Sequence, residues 1–247
     1  MSLDAALIWA ALAAAVAGLT RGFSGFGGAL IFMPLVSAAY GPAVAAPVLL
    51  LVDTVLTAPI VLRAVRQCHW RELAPLALAA MAAVPAGVYL LRHVDPVVLR
   101  WALAVLALAL LALLVSGWRY HGKPTLPATV LVGLIAGVCG GAAQMSGPAV
   151  VAYWLGGKTP AAQVRANLFG FFALATVSSA TAYAYAGLFT AEVGVMSAIL
   201  GPLYGLGLVA GARLFPYASD AHYRRAAYLV IALAALTSLP VFDGLLR

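Results

Sequence analysis

Two short glycine-rich stretches hold most of the polar residues that could bind a ligand in an otherwise apolar chain. They read TRGFSGFGG (20–28) and CGGAAQMSGP (139–148). Glycine lets backbone approach a ligand closely, and a helix that begins there presents unpaired N–H groups and a positive dipole end. Such groups suit a small anion. The candidate binding residues are Thr20, Arg21, Ser24, Gly25, Gly27, Gly28, Gln144, Ser146 and Gly147.

These stretches lie in a chain whose composition excludes a water-soluble domain. Of its 247 residues, 65% are hydrophobic and 9% are charged, whereas a soluble domain has about 25% charged residues. A transmembrane helix needs about 20 apolar residues, and runs such as 101–117 and 228–239 contain no charge. The sequence therefore predicts an all-α integral membrane protein. Irregular backbone inside a membrane must be buried in protein or line a cavity, which again favours a binding site at the glycines.

The other reactive residue types indicate no second site. The two cysteines form neither a disulfide framework nor a metal-binding spacing, and the four histidines fall in predicted loops. We therefore predict no metal ion and no cofactor. The net charge of +7 is typical of cytoplasmic loops rich in Lys and Arg rather than of a protein that binds nucleic acid.

Glycine, proline and charge divide the chain into about ten apolar segments, which predict 8–10 transmembrane or re-entrant helices. A first repeat (1–117) and a second repeat (128–247) each hold five segments, and a charged cytoplasmic connection (118–127) joins them. The segments run over 5–20, 25–40, 43–62, 73–91, 97–117, 128–142, 146–157, 162–187, 192–212 and 226–241.

The two halves contain an ordered series of matching residues, which indicates a duplication. In such transporter folds, broken helices from the two repeats approach each other near the membrane midplane. For any single glycine, close packing of helices is the alternative interpretation. The matched pairs are Gly18 with Gly137, Leu19 with Val138, Gly22 with Gly141, Gly27-Gly28 with Ser146-Gly147, Gly87 with Gly211, Asp95 with Asp220, and Arg100 with Arg225.

The distribution of positive charge favours inverted repeats in a plasma (inner) membrane. With five crossings per repeat and the N-terminus outside, 11 of the 14 Lys and Arg residues lie inside. If segments two and seven are re-entrant instead, the split becomes 6 inside and 8 outside, against the excess of positive charge expected inside. A third arrangement, in which the first two segments of each repeat form a hairpin, leaves the other helices unchanged and stays open.

The sequence resembles the sulfite exporter TauE/SafE family. The resemblance lies in GFSGFGGALIFMPLV (22–36), in GVCGGAAQMSGPAVVAYWL (137–155) and in the two-half plan. It implies a transporter of small anions, often sulfite or organosulfonates such as sulfoacetate, that works without redox cofactors. Gln144 and Met145 stand where the family pattern is richer in glycine, so the particular anion stays open.

Three further polar residues lie within or beside predicted spans. Asp53 has no basic neighbour within a helical turn, so it is a candidate for proton coupling. A structural hydrogen bond to a neighbouring helix, through Thr54 or Thr57, is the alternative. Arg165 and Asn167 follow the second glycine stretch, and Arg165, like Arg21 in the first stretch, is interpreted as either an anion ligand or an arginine of the inner face.

Four of the tyrosines within the predicted spans each have two interpretations. They could line a path for the anion, but packing or anchoring at the membrane interface explains each of them as well. The four residues concerned are Tyr153, Tyr183, Tyr185 and Tyr204.

Transport of an anion by alternating access is the leading functional hypothesis, and the protein is not expected to be an enzyme. The alternatives are an integral-membrane enzyme and a structural or assembly subunit. An inside-negative potential of about 100 mV favours departure of a monovalent anion by about 2.3 kcal/mol, or roughly fifty-fold in concentration, so we expect export. The expected partners are the anion, the bilayer and, with Asp53, protons; the sequence leaves a homo-oligomer open.

The inverted arrangement makes a prediction about topology. Single cysteines introduced as Lys123→Cys and Asp243→Cys should react with a membrane-impermeant thiol reagent from opposite sides, because five crossings separate them. Labelling of intact cells and of inside-out vesicles measures this directly. Reaction of both positions from the same side would exclude the inverted arrangement.

Overall fold

The computed structural model describes residues 3–24, 27–118, 125–154, 161–214 and 220–242, and these parts of the chain form ten α-helices and no strand. Each predicted apolar segment corresponds to one helix, so the all-α fold with 8–10 helices is confirmed. Two short 3₁₀ turns, Val65–Gln67 and Pro240–Phe242, follow α3 and α10. The helices are α1 Leu3–Ser24, α2 Gly28–Tyr40, α3 Pro42–Ala64, α4 Trp70–His93, α5 Pro96–Val115, α6 Leu126–Ala143, α7 Gly147–Trp154, α8 Ala161–Tyr185, α9 Ala191–Leu214 and α10 Asp220–Thr237.

Seven helices in the described parts of the chain are long and apolar enough to cross a membrane, namely α1, α3, α4, α5, α6, α8 and α9. Their outward faces carry large apolar side chains, for example Val55 and Leu206, each 70% exposed. A soluble protein would bury such side chains, whereas lipid accepts them. By contrast, α2 has 13 residues and α7 has 8, or about 20 Å and 12 Å of helix. Neither reaches across about 30 Å of hydrocarbon.

Helix α2 turns back along the end of α1. A Cβ atom built on Gly28 lies 3.0 Å from the carbonyl oxygen of Ala17 and 3.2 Å from the Cβ of Arg21. A straight continuation of α1 would place Gly28 about 16 Å further along the helix axis than Ala17. The first two segments of this repeat therefore fold as a hairpin locally. Their orientation relative to the bilayer stays a prediction.

Helix α2 lies in the interior of the bundle. It contacts α1, α3, α5 and α10, and four consecutive residues, Leu30, Ile31, Phe32 and Met33, are fully buried. A helix that is apolar on every side is expected to be surrounded by other helices. This burial fixes the position of the helix start at Gly28, where the first glycine stretch ends.

Glycines let α1 and α9 approach until their backbones touch. A Cβ atom on Gly18 would lie 2.1 Å from the carbonyl oxygen of Tyr204, and one on Gly22 would lie 2.0 Å from that of Leu208. No side chain fits at these distances, so the crossing requires glycine. The packing interpretation applies to these two positions.

The same kind of crossing joins α6 to α4. The residues in contact there are matched by the sequence repeat to residues in contact at the α1–α9 crossing. Between α9 and α1, a Cβ atom on Gly211 would lie 2.1 Å from the carbonyl oxygen of Leu19. Between α4 and α6, a Cβ atom on Gly87 would lie 2.2 Å from the carbonyl oxygen of Val138. The repeat pairs Gly211 with Gly87 and Leu19 with Val138, so each half contacts the other through equivalent residues. This equivalence supports the duplication, and its inverted orientation stays a prediction.

The crossings predict opposite responses to one substitution at two sites in α9. Gly207→Ala places a Cβ atom 2.2 Å from the carbonyl oxygen of Ala15, whereas Gly194→Ala meets no atom within 4 Å. Gly207→Ala should lower the stability of the protein in detergent by about 1–3 kcal/mol. Gly194→Ala should leave it unchanged or slightly raised, because alanine favours helix. Thermal unfolding midpoints compare the two, and equal midpoints would contradict the close crossing.

Candidate functional site

The two glycine stretches meet at one cavity inside the bundle. The predicted residues that line it are Arg21, Gly27, Gly28, Asp53, Gln144, Ser146 and Gly147. Side chains from α8 and α9 complete the wall. The volume of the cavity, measured at the centres of water-sized molecules, is about 60 Å³. One water needs about 10–15 Å³ on that measure, so the cavity accommodates several waters or one small anion.

Each stretch has a residue in the left-handed backbone region, at the start of α2 in the first stretch and at the end of α6 in the second. Gly27 has φ 93° and immediately precedes α2, which no side chain caps. Gln144 has φ 55° after the end of α6, and its N–H donates to the carbonyl of Gly140 at 2.9 Å. Left-handed backbone ends a helix within one residue. As a result, α2 and α7 begin at the cavity with their N-terminal N–H groups beside it.

An ion pair between α1 and α3 provides the charge at the cavity. Arg21 donates from Nε to Oδ1 of Asp53 at 2.9 Å and from Nη2 to Oδ2 at 2.8 Å. The hydroxyl of Tyr204 on α9 donates to the same Oδ1 at 2.8 Å. The guanidinium carbon of Arg21 lies 5.0 Å from the ring centroid of Phe172, at cation–π distance. Three helices and an aromatic face therefore hold one pair of opposite charges.

This pairing shows which groups on neighbouring helices bind Asp53. The hydroxyls of Thr54 and Thr57 donate to the backbone carbonyls of Leu50 and Asp53 in their own helix, so they do not link Asp53 to a neighbour. Its partners on other helices are Arg21 and Tyr204. Arginine and aspartate stand 32 residues apart, so no local sequence pattern joins them. Proton coupling by Asp53 stays a prediction.

Gln144 is held by hydrogen bonds within its own end of the cavity. Its Nε2 lies 3.1 Å from the carbonyl oxygen of Gly140 and 3.2 Å from the hydroxyl of Tyr183. That hydroxyl donates to the carbonyl of Gly141 at 2.9 Å. A carbonyl oxygen only accepts, so the atom facing Gly140 is the amide NH₂. Both N–H groups of the side chain are therefore engaged, and its carbonyl oxygen is the remaining polar atom.

Two of the predicted residues are buried outside the cavity wall. The hydroxyl of Thr20 donates to the carbonyl of Val16 at 3.0 Å. Asn167 accepts from the backbone N–H of His69 at 2.9 Å and donates to Glu72 at 3.3 Å. These bonds join the start of α8 to the turn before α4. Binding roles for Thr20 and Asn167 stay predictions.

The same turn buries a thiol. Cys68 donates to the carbonyl oxygen of Ala166 at 3.0 Å, and burial raises the pKa of its thiol. Within the described residues, no group of three or more His, Cys, Asp or Glu side chains is placed to hold a metal ion.

Three predicted site residues lie partly or wholly outside the described structure. Gly25 falls between the described ranges. Ser24 is the last residue of α1 and Arg165 lies in α8, but their side chains are outside the described part. Their roles stay predictions.

Sequence reasoning missed the residues by which α8 lines the wall and the hydrogen bond from Tyr204 of α9 to Asp53. The sequence assigns Tyr204 only to a path or to packing, and it gives Phe172 no role. Thr176 and Ser179 also line the cavity. Their hydroxyls are three residues apart on an apolar helix, so they share a face, and this spacing is a usable signal.

Broken helices that meet at a charged cavity inside a bundle of membrane-spanning length define a class, the helical membrane transporters. The family model for the sulfite exporter TauE/SafE matches residues 10–238. The chain belongs to the TauE/SafE family, as the resemblance in its glycine stretches implied. A comparison with curated proteins gave no match, and a comparison with solved structures gave none either.

The ion pair makes a prediction about stability. Arg21→Met leaves the Asp53 carboxylate without its cation and should destabilise the protein by roughly 3–5 kcal/mol. Arg21→Met combined with Asp53→Asn removes both charges and should be less destabilising than Arg21→Met alone. Thermal unfolding in detergent measures both variants. A double variant less stable than the single one would contradict a buried pair.

Proposed function

We propose that the protein transports a small sulfur oxyanion or sulfonate across the plasma membrane by alternating access, in the direction of export. The observation that carries the proposal is the convergence of Arg21 and of the starts of α2 and α7 on one cavity. Membership of a family of sulfite exporters supports the class of substrate. The family is one of transporters, so the enzyme and assembly hypotheses gain no support from it.

The residues around the cavity suit an oxyanion. The guanidinium of Arg21 presents two parallel N–H donors, a geometry that matches two oxygens of one group. The N–H groups at Gly28 and Gly147 begin two helices whose positive ends face the cavity. Ser146 is 5% exposed and adds a hydroxyl. These donors come from both repeats.

The packing of the helices suggests which parts move. Backbone contacts through glycine join α1 to α9 and α6 to α4, so we expect each pair to move as a unit. The cavity is lined by residues of both pairs, including Arg21 from the first and Gly140 from the second. Rocking of one pair against the other would open the cavity to each side in turn.

Flux of radiolabelled sulfite into liposomes tests the proposal. Liposomes that contain the purified protein should take up sulfite faster than protein-free liposomes. Ser146→Ala removes one neutral hydrogen bond, worth about 0.5–1.5 kcal/mol, so the half-saturating concentration should rise about two- to thirteen-fold.

Ser197→Ala is the matched control, because Ser197 donates to Val193 within α9 at 2.7 Å and does not line the cavity. It should transport as the unaltered protein does. An absence of protein-dependent flux of both sulfite and methanesulfonate would contradict the proposed function. An equal effect of both serine substitutions would contradict the site.

A further inference from the structure

We infer that Asp53 is an internal counter-ion that the transported anion replaces at Arg21, and that one proton binds to the protein with each anion. The inference rests on the proposed function and adds the proton as a second substrate. Its starting point is the set of donors that Asp53 occupies. Nε and Nη2 of Arg21 and the hydroxyl of Tyr204 all donate to this one carboxylate.

The carboxylate occupies the position that a substrate oxyanion would take. Its two oxygens lie 2.9 Å and 2.8 Å from the two nitrogens of one edge of the guanidinium. A sulfonate or sulfite group presents two oxygens to arginine in the same bidentate way. One edge of a guanidinium binds one such group at a time. An anion that takes this edge therefore removes Asp53 from it.

The charges at the cavity change when the anion displaces Asp53. Among the described residues that line it, the titratable groups are Arg21 from α1, Asp53 from α3 and Tyr204 from α9. Helices α2, α4, α5, α6 and α8 and the 3₁₀ turn Val65–Gln67 also contact α3, and the described residues that line the wall include no charged side chain from any of them. The paired arginine and aspartate sum to zero charge. A monovalent anion would make the sum negative, and a proton on Asp53 would restore it to zero.

Partial burial of Asp53 favours its protonation once the anion has taken its place at Arg21. An ionised carboxylate that loses its cation inside a protein is strongly disfavoured, and such a group takes up a proton instead. Water can deliver that proton, because the side chain of Asp53 is 26% exposed and lines the cavity. The side chain of Arg21 is only 9% exposed. The proton moves from a hydronium ion in the cavity water to a carboxylate oxygen, so that one O–H bond of the hydronium ion breaks, one O–H bond forms on Asp53, and a water molecule remains.

Proton binding alters the driving force. A monovalent anion and a proton together carry no net charge, so the membrane potential does not act on their joint movement. The direction of net flux then depends on the combined gradients of anion and proton. Potential alone does not drive export in this case.

Binding of methanesulfonate to the purified protein in detergent provides the test. This probe stays a monoanion throughout the neutral pH range, so any proton taken up goes to the protein. Calorimetry in two buffers that differ in ionisation enthalpy counts the protons. We expect uptake of close to one proton per anion bound. Wherever uptake is close to one, the affinity should fall about tenfold for each rise of one pH unit.

Asp53→Asn should still bind methanesulfonate but take up no proton, and its affinity should not depend on pH. Glu192→Gln is the matched control: Glu192 is an exposed acid in the first turn of α9, and its loss should leave the proton count unchanged. The measurement on the unaltered protein needs no variant, so it tests the inference even if Asp53→Asn does not fold.

The outcomes separate this inference from the proposed function. Binding without proton uptake would overturn the inference, since the anion would then bind beside an intact ion pair, and the proposed function would stand. Proton uptake that persists in Asp53→Asn would also overturn it, by placing the proton elsewhere. Failure of both methanesulfonate and sulfite to bind the unaltered protein would overturn the proposed function and the inference with it.

Discussion

The ion pair between Arg21 and Asp53 is the interaction on which the arrangement of the site depends. Each charge lies inside the membrane protein with the opposite charge within 3 Å, which offsets the cost of removing it from water. The pair therefore requires the end of α1 and the middle of α3 to stay together. Tyr204 adds α9 to the same contact. The start of α2 is fixed as well, since Gly28 lies against both Arg21 and Tyr204.

Helix packing and ligand binding are not competing explanations for the glycines. Gly18 brings the backbone of α9 against α1 at Tyr204, so that the hydroxyl of this tyrosine reaches Asp53. A Cβ atom on Gly28 would lie 3.0 Å from that hydroxyl, closer than a carbon normally approaches. The crossing of α1 and α9 at Gly18 thus positions Tyr204, and Gly28 at the start of α2 leaves room for the hydroxyl of Tyr204. One set of small residues shapes both the bundle and its cavity.

The sequence determines the helices more directly than the site. Apolar segments and their boundaries are local properties, so ten segments correspond to ten helices in the described parts of the chain. The convergence of 20–28 with 139–148 was also predictable, because the repeat implies it. The partner of Asp53 was not, since Arg21 is brought to it by packing between helices that no sequence spacing records. Tyr204, 151 residues from Asp53, was hidden for the same reason.

On the proposed mechanism, the charges at the cavity sum to zero both in the empty protein and in the loaded protein. In net export by alternating access, as proposed, the protein changes conformation both with and without its substrate, and an unpaired arginine in the membrane would hinder the return of the empty form. Asp53 provides a carboxylate of the protein itself where a substrate oxyanion would otherwise neutralise Arg21. With an anion and a proton bound, the sum of charges is again zero. On the proposed mechanism, both forms therefore present the same net charge to the bilayer, and neither needs an uncompensated charge in order to move.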